Sequence, residues 1–221
     1  MTKINTNTEI STFVMNEFGT NCYIYKDEQT NNIIIIDPAG DMNQIIDLIR
    51  QRELNIVSVV ITHGHYDHIK GLPGLVKLLP DINVVIHEDE IPLIFNDEEN
   101  LSILFSDNLS KQLETLSINW MRVKDNDEFF CGTKKIRVVH TPGHTTGSIC
   151  LYIKEKGFLF TGDTLFCGSV GRTDFPTGDI DLLEESIKKI FLLPMNTFFF
   201  PGHGGWCILE KEIKHNPFVR L

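Results

Sequence analysis

Three histidines and an aspartate fall within six consecutive positions of this chain, in Thr62-His63-Gly64-His65-Tyr66-Asp67-His68. Imidazole nitrogens and a carboxylate together suit zinc, iron or manganese. The alternative reading is a polar surface turn that happens to contain histidine, and the rest of the chain argues against it. Val138-Val139 leads to His140-Thr141-Pro142-Gly143-His144. Phe158-Leu159-Phe160 leads to Thr161-Gly162-Asp163, and Phe198-Phe199-Phe200 leads to Pro201-Gly202-His203. Each time an apolar run ends in small or turn-forming residues beside a potential ligand, where glycine lets the backbone turn sharply. If these runs lie side by side in sheets, His63, His65, Asp67, His68, His144, Asp163 and His203 converge on one edge.

Seven donors exceed the needs of one zinc, which in a catalytic site takes three protein ligands and keeps a position for water. Two divalent ions with a shared carboxylate fit the count. His63, His65 and His144 form one set, and Asp67, His68 and His203 the other. Asp163 bridges, because a carboxylate offers two oxygens. Asp67 and Asp163 are taken as the catalytic carboxylates. Asp37 ends its own apolar run and either orients His63 or His65 through a ring N–H or caps a turn. His87 and His140 are structural or support the ligands from behind, and His215 faces solvent.

The elements that must position these residues follow from periodicity. Ile56 to Ile61 is a mostly apolar, β-branched run that reads as a buried strand leading into the cluster. Further strands are expected at Ile10–Met15, Cys22–Lys26, Ile33–Ile36, Asn83–His87, Glu128–Cys131, Lys135–Val139, Ser148–Ile153, Phe158–Thr161 and Thr197–Phe200. Apolar residues at helical spacing place helices over Met42–Leu54 and Ile69–Leu79, the second broken by Gly71, Pro73 and Gly74. Another helix is expected over Ile180–Leu193, with Asp179 as N-cap and Pro194 ending it, and a last one over Trp206–His215. The stretch 88–124 reads as a helical excursion near the site, with its apolar helical part around Leu101 to Leu116. The pattern predicts an α/β (α+β) fold: a four-layer αββα sandwich of two mixed β-sheets with helices on both outer faces. One domain over residues 1–221 accommodates it.

The 221 residues carry a formal net charge of −10. That argues against nucleic acid as the main partner and against adsorption to anionic membranes. The five cysteines are scattered and form no CxxC pair; they read as free thiols in a reducing compartment. The polar stretch Met1-Thr2-Lys3-Ile4-Asn5-Thr6 lacks an apolar signal core. No apolar run is long enough to cross a bilayer. A cytoplasmic protein is expected.

The motif set resembles the metallo-β-lactamase superfamily, over nearly the whole chain. Within it, the chain looks most like the short bacterial-type hydrolases of the glyoxalase II group, through Gly162-Asp163-Thr164-Leu165-Phe166, Gly171-Arg172-Thr173-Asp174-Phe175-Pro176 and Asn216-Pro217-Phe218-Val219-Arg220. The resemblance implies a binuclear centre, zinc first and iron or manganese as alternatives. It implies hydrolysis of S-2-hydroxyacylglutathione, such as lactoylglutathione, to glutathione and a 2-hydroxy acid. Zinc lowers the pKa of bound water to about 7, and two ions about 3.5–4 Å apart can share the hydroxide that attacks the thioester. Arg172 is expected to attract an anionic part of the substrate, or to pair with Asp174 on the surface. Cys167 is expected to be packed. The partner is then a small-molecule glutathione thioester, with no nucleic acid and no membrane, and the protein a monomer or small homo-oligomer.

Three departures from the group are expected to matter. The chain stops at Leu221, without the basic helical extension that grips glutathione in full-length glyoxalase II. Gly205-Trp206-Cys207-Ile208 replaces the usual small polar residues after His203. The Asp67-His68 pair is absent from β-lactamases of the common zinc class, which argues against penicillin-type substrates. The rival reading is a persulfide dioxygenase, which shares this fold, with one iron on His63, His144 and Asp163, a 2-His-1-carboxylate set that leaves room for oxygen.

Overall fold

A computed structural model describes residues 9–219. The first three strands, β1 (Ile10–Met15), β2 (Thr20–Lys26) and β3 (Asn32–Ile36), form antiparallel neighbours. The chain then crosses over through α1 (Asn43–Gln51) to β4 (Asn55–Val60), which lies parallel to β3. Two short helices follow, α2 (Tyr66–Ile69) and α3 (Leu72–Leu78), and then β5 (Asn83–His87). Next come α4 (Glu90–Ile94), a 3₁₀ turn at Ser102–Phe105, α5 (Leu109–Glu114) and β6 (Asn119–Val123). These six strands make one mixed sheet in the order β1-β2-β3-β4-β5-β6.

The second sheet uses β7 (Glu128–Cys131), β8 (Lys134–His140), β9 (Ile149–Ile153) and β10 (Phe158–Gly162). A small hairpin, β11 (Leu165–Phe166) and β12 (Ser169–Val170), precedes α6 (Ile180–Ile190). After α6 come β13 (Phe198–Pro201), β14 (Cys207–Ile208) and α7 (Leu209–His215). The sheet order is β14-β13-β10-β9-β8-β7, with β10 and β13 parallel and the other neighbours antiparallel.

The apolar runs in the sequence follow from burial on both faces. In β3, Ile33 and Ile35 pack outward against Ile45, Ile46 and Ile49 of α1, whereas Ile34 and Ile36 pack inward against the other sheet. In β8 and β9, Val138, Leu151 and Ile153 face inward, while Val139, Cys150 and Tyr152 pack with Leu183, Ile187 and Ile190 of α6. A strand covered on both sides has no solvent face, so alternation disappears and β-branched runs replace it. The result is the expected αββα sandwich. Among the described residues, no helix is long and apolar enough to cross a membrane.

Three expectations need correction. The stretch 88–124 is only partly helical: it ends in β6, an edge strand whose central Met121 is exposed and whose only fully buried residue is Val123. With one buried side chain, β6 has no strand-like apolar pattern to read. The last helix begins at Leu209 rather than Trp206, because Cys207 and Ile208 pair with Phe199 and Phe198. The helix after the histidine cluster begins at Tyr66, which places Asp67 and His68 inside it. The polar stretch Met1–Thr6 and Arg220, the last residue of the Asn216 motif, lie outside the described residues.

Candidate metal centre

Each donor is delivered by a strand end or the turn beyond it. Past β4, Thr62 leads into His63, and the turn runs through His65 into α2, which carries Asp67 and His68. The loop after β8 brings His144, the end of β10 brings Asp163, and the end of β13 brings His203. The backbones crowd together here: a methyl group on Gly202 would overlap the Asp163 carboxylate and the His68 ring. Glycine at 202 is therefore a requirement of close approach.

All seven expected donors come together, in the two sets that the sequence suggests. His63, His65 and His144 offer ring nitrogens within 4.8 Å of one another, as do Asp67, His68 and His203 through their own donor atoms. A third group, His63, His68 and Asp163, joins the two. Asp163 Oδ1 lies 3.4 Å from His68 Nε2, and its Oδ2 lies 3.7 Å from His144 Nε2 and 3.5 Å from His203 Nε2. The outer ring nitrogens are held from behind. His144 Nδ1 donates to the Arg172 carbonyl at 2.7 Å, and His203 Nδ1 to the Phe18 carbonyl at 3.2 Å. That turns the Nε2 atoms of His144 and His203 inward, where His144 can accept and His203 faces the carboxylates of Asp67 and Asp163.

The residues fit divalent metal. The Nε2 atoms of His63 and His65 and Oδ1 of Asp163 are buried without any hydrogen-bond partner. Buried polar atoms are rarely left so, and cations held by the donor sets would satisfy them. The electrostatics agree. Burial pushes the imidazoles of His63, His65 and His144 down, aided for His63 and His65 by neighbouring imidazoles, and His65 reaches about 3. They stay neutral and free to bind metal. Burial disfavours charge on His68 and His203 as well, but there the carboxylates win. Asp67, Asp163 and Asp37 hold His68 well above its ordinary value, and hydrogen bonds to Asp163 and Asp67 raise His203 to about 9. Burial opposes ionisation of Asp67, yet the charge on His68 and the bond to His203 bring it down to about 2. Without metal, protons on His68 and His203 take the place of the cation.

Asp37 acts on a different histidine from the two expected. Its Oδ2 accepts from His68 Nδ1 at 2.9 Å and from Thr62 Oγ1 at 2.7 Å, while Oδ1 accepts from the Thr62 N–H at 2.8 Å. His63 Nδ1 instead meets the Thr62 hydroxyl, at 3.2 Å. His87 and His140 stack on each other with ring centroids 3.9 Å apart, away from the donors, and His215 is exposed. Arg172 lies at the cavity rim but its guanidinium grips Asp174 at 2.7 and 2.6 Å and covers the Phe175 ring. Cys167, expected to be packed, is exposed, because it sits at the tip of the β11–β12 hairpin.

Two supporting features were not legible. The turn between β1 and β2 buttresses the second donor set: Thr20 Oγ1 donates to Asp67 Oδ2 at 2.6 Å, and Asn16 Nδ2 to the Asp67 carbonyl at 2.9 Å. Glu90, fully buried, accepts from the Gly64 N–H at 2.6 Å and the Gly147 N–H at 2.7 Å. It ties the His63–His65 turn to the loop after His144. Five of the donors, His65, Asp67, His144, Asp163 and His203, floor a cavity of about 460 Å³, walled by Phe18, Tyr66, Leu104, Phe105, Phe166 and Phe175, with His63 and His68 beneath them.

A fold and a site of this kind define a class, and sequence comparison agrees: the profile of the metallo-beta-lactamase superfamily matches residues 15–203. The chain belongs to that superfamily. It is 32% identical, over 91% of its length and 92% of the relative's, to hydroxyacylglutathione hydrolase GloC of Haemophilus influenzae. The structure of BLEG-1, a B3 metallo-β-lactamase, is similar with a TM-score of 0.84 and 30% identity, covering 96% of this chain and all of that one (100%). The structure of ETHE1 from Myxococcus xanthus gives a TM-score of 0.77 and 26% identity, covering 95% of this chain and 84% of that one.

Proposed function

We propose that the protein is a metal-dependent thioester hydrolase acting on S-2-hydroxyacylglutathiones, lactoylglutathione among them. The observation that carries this reading is the pair of three-donor sets joined by Asp163 on the floor of one cavity. The likeness to GloC over nearly the full chain supports the choice of substrate. His63, His65 and His144 would hold one ion and Asp67, His68 and His203 the other, with Asp163 shared. Zinc is the first choice for these donors, with iron and manganese as alternatives. When bound, such ions polarise a carbonyl and make water acidic enough to attack at neutral pH.

The remaining steps fall to the chain's own groups. The aromatic wall accepts the substrate and sheds water from the floor. Asp67 lines the cavity with its Oδ2 fixed by Thr20 and 3.3 Å from His203 Nε2, and its carboxylate would take up a proton as water attacks. Asp163 keeps the two donor sets in register. Arg172 offers positive charge at the rim, moderated by Asp174. No serine or cysteine nucleophile is needed, and none of the five cysteines lines the cavity.

The test is purified protein of known metal content, assayed on lactoylglutathione. Thioester loss with about two ions per chain, abolished in Asp163→Ala, is expected. One iron per chain with oxygen uptake on glutathione persulfide would overturn the reading in favour of a dioxygenase. Turnover of a chromogenic cephalosporin without thioester hydrolysis would overturn it in favour of the activity named for BLEG-1.

A further inference from the structure

Beside the metal centre stands a second reactive cluster that the hydrolase reading does not use. The donor atoms of Cys167, Cys207 and Glu212 lie within 4.8 Å of one another. The two thiols differ in access. Cys167 is exposed at the hairpin tip, and Cys207 is buried in β14. The neighbouring Gly168, at a φ of 77°, gives the tip a turn that most residues resist. Glu212 is buried and pinned, its Oε2 accepting from the Gly168 N–H at 2.8 Å and from Asn216 Nδ2 at 2.9 Å. It holds hairpin, β14 and α7 together around the thiols.

We propose that Cys167 and Cys207 form a thiol pair that reacts with small-molecule disulfides, Cys167 as the point of entry and Cys207 as the residue that closes an internal disulfide. The sulfur of Cys167, as thiolate, attacks one sulfur of the small disulfide. A new S–S bond forms, the old one breaks, and the departing thiolate takes up a proton. Cys207, its proton passing to the adjacent Glu212 carboxylate or to water, then attacks the Cys167 sulfur of the mixed disulfide and expels the second small thiol. The small disulfide is reduced to two thiols and the protein pair is oxidised. Burial, with the neighbouring Cys167 and Glu212, pushes the Cys207 thiol up to about 12, so it does not compete as the first attacker.

Closing the bond brings the sulfurs to roughly 2 Å, which draws the hairpin toward β14. Phe166, Ser169 and Val170 of that hairpin line the cavity, and the Phe166 ring lies 6.1 Å from that of His203. Oxidation therefore reshapes the cavity wall next to the second donor set. This consequence rests on the hydrolase reading; the thiol chemistry does not.

The experiment treats metal-loaded protein with excess oxidised glutathione, quenches it, alkylates the remaining thiols and maps peptides by mass. Wild type should lose two alkylatable thiols and yield a peptide cross-linked between Cys167 and Cys207, reversed by dithiothreitol. Cys207→Ser should stop with one glutathionyl group on Cys167, and Cys167→Ser, an exposed change, should show neither product. Wild type that keeps all five thiols, or that stops at the same adduct as Cys207→Ser, overturns the proposal. So does a wild type that carries about one zinc per chain more than Cys167→Ser, since the pair would then be a metal site. In a cross-linked preparation, thioester kcat/KM should fall several-fold. An unchanged value overturns the coupling to the cavity, whereas no thioester turnover before oxidation overturns the hydrolase reading alone.

Discussion

Asp37 fixes His68 by a single ring hydrogen bond, which determines the tautomer that faces Asp67 and Asp163. Partners of this kind are worth about 10–100-fold in metal affinity. Asp37→Asn should weaken metal binding by about that factor in a chelator competition, and unchanged affinity would show that His68 needs no such support. Glu90 gives a second prediction. Burial holds its carboxyl above the ordinary value of 4.5, against the opposing pull of its bonds to Thr145, Gly147 and Gly64. The folded state therefore keeps a proton that the unfolded chain releases, and that contribution is full below the ordinary value and lost as pH rises through the raised one. Glu90→Gln should flatten this decline in stability with pH. It should also destabilise at neutral pH by about 1–3 kcal/mol, because an amide nitrogen then faces a backbone N–H. Thermal melts across pH read both; parallel curves for wild type and variant would sink the idea. At this scale the donors were legible because each group of them follows an apolar run through a short turn of small or turn-forming residues. Asp37 was legible as a helper but not in its choice of histidine, which depends on how the turn at 63–68 folds back. Glu90 carried no local signal, since its partners are backbone groups at Gly64 and Gly147.

Asp179 caps α6 by accepting from the Leu182 N–H at 3.0 Å, and its own N–H donates to the Gly143 carbonyl at 2.9 Å. The cap thus joins the helix to the loop that presents His144. Asp179→Ala should cost about 1 kcal/mol, a fall of about 2–4 °C in Tm for a chain of this size. A larger loss of metal affinity than of Tm would show that the cap serves the loop more than the helix. Elements with a continuous apolar face were legible: the expected strands stand where periodicity puts them, and α6 starts at its Asp179 cap but ends at Ile190, short of the expected Leu193 and Pro194. Elements held at an edge were not. In β6 the ladder with β5 supplies the order that side-chain burial does not, and β14 is two residues of pairing ahead of α7.

Across the molecule, the donor set spans both sheets. The first sheet contributes the 63–68 turn, and the second contributes His144, Asp163 and His203. Metal that binds only the folded state stabilises it by about 2.7 kcal/mol at a hundredfold excess over Kd, or about 5–10 °C in Tm. Adding zinc to stripped protein should raise Tm by that amount and a chelator should reverse it; a melt indifferent to zinc would refute metal binding at this site. The layered architecture was legible because runs such as Ile33–Ile36 are apolar throughout, and only a strand covered on both faces affords that. Which turn would brace the donors from outside, as Asn16 to Thr20 does, depends on the docking of β1 and β2 beside β13 and left no trace in local sequence.

The division of donors between the sheets also orders events during synthesis. The first sheet is complete at Val123, before any strand of the second exists. A growing chain that has made only the first sheet holds His63, His65, Asp67 and His68 without their counterparts, and its Glu90 lacks the Gly147 amide. His203 is the last donor to leave the ribosome. Ions caught earlier would sit on an unfinished set, exposed to exchange with the cell's small chelators. Stable loading must wait for β13, which makes metal capture one of the final steps in the maturation of this protein.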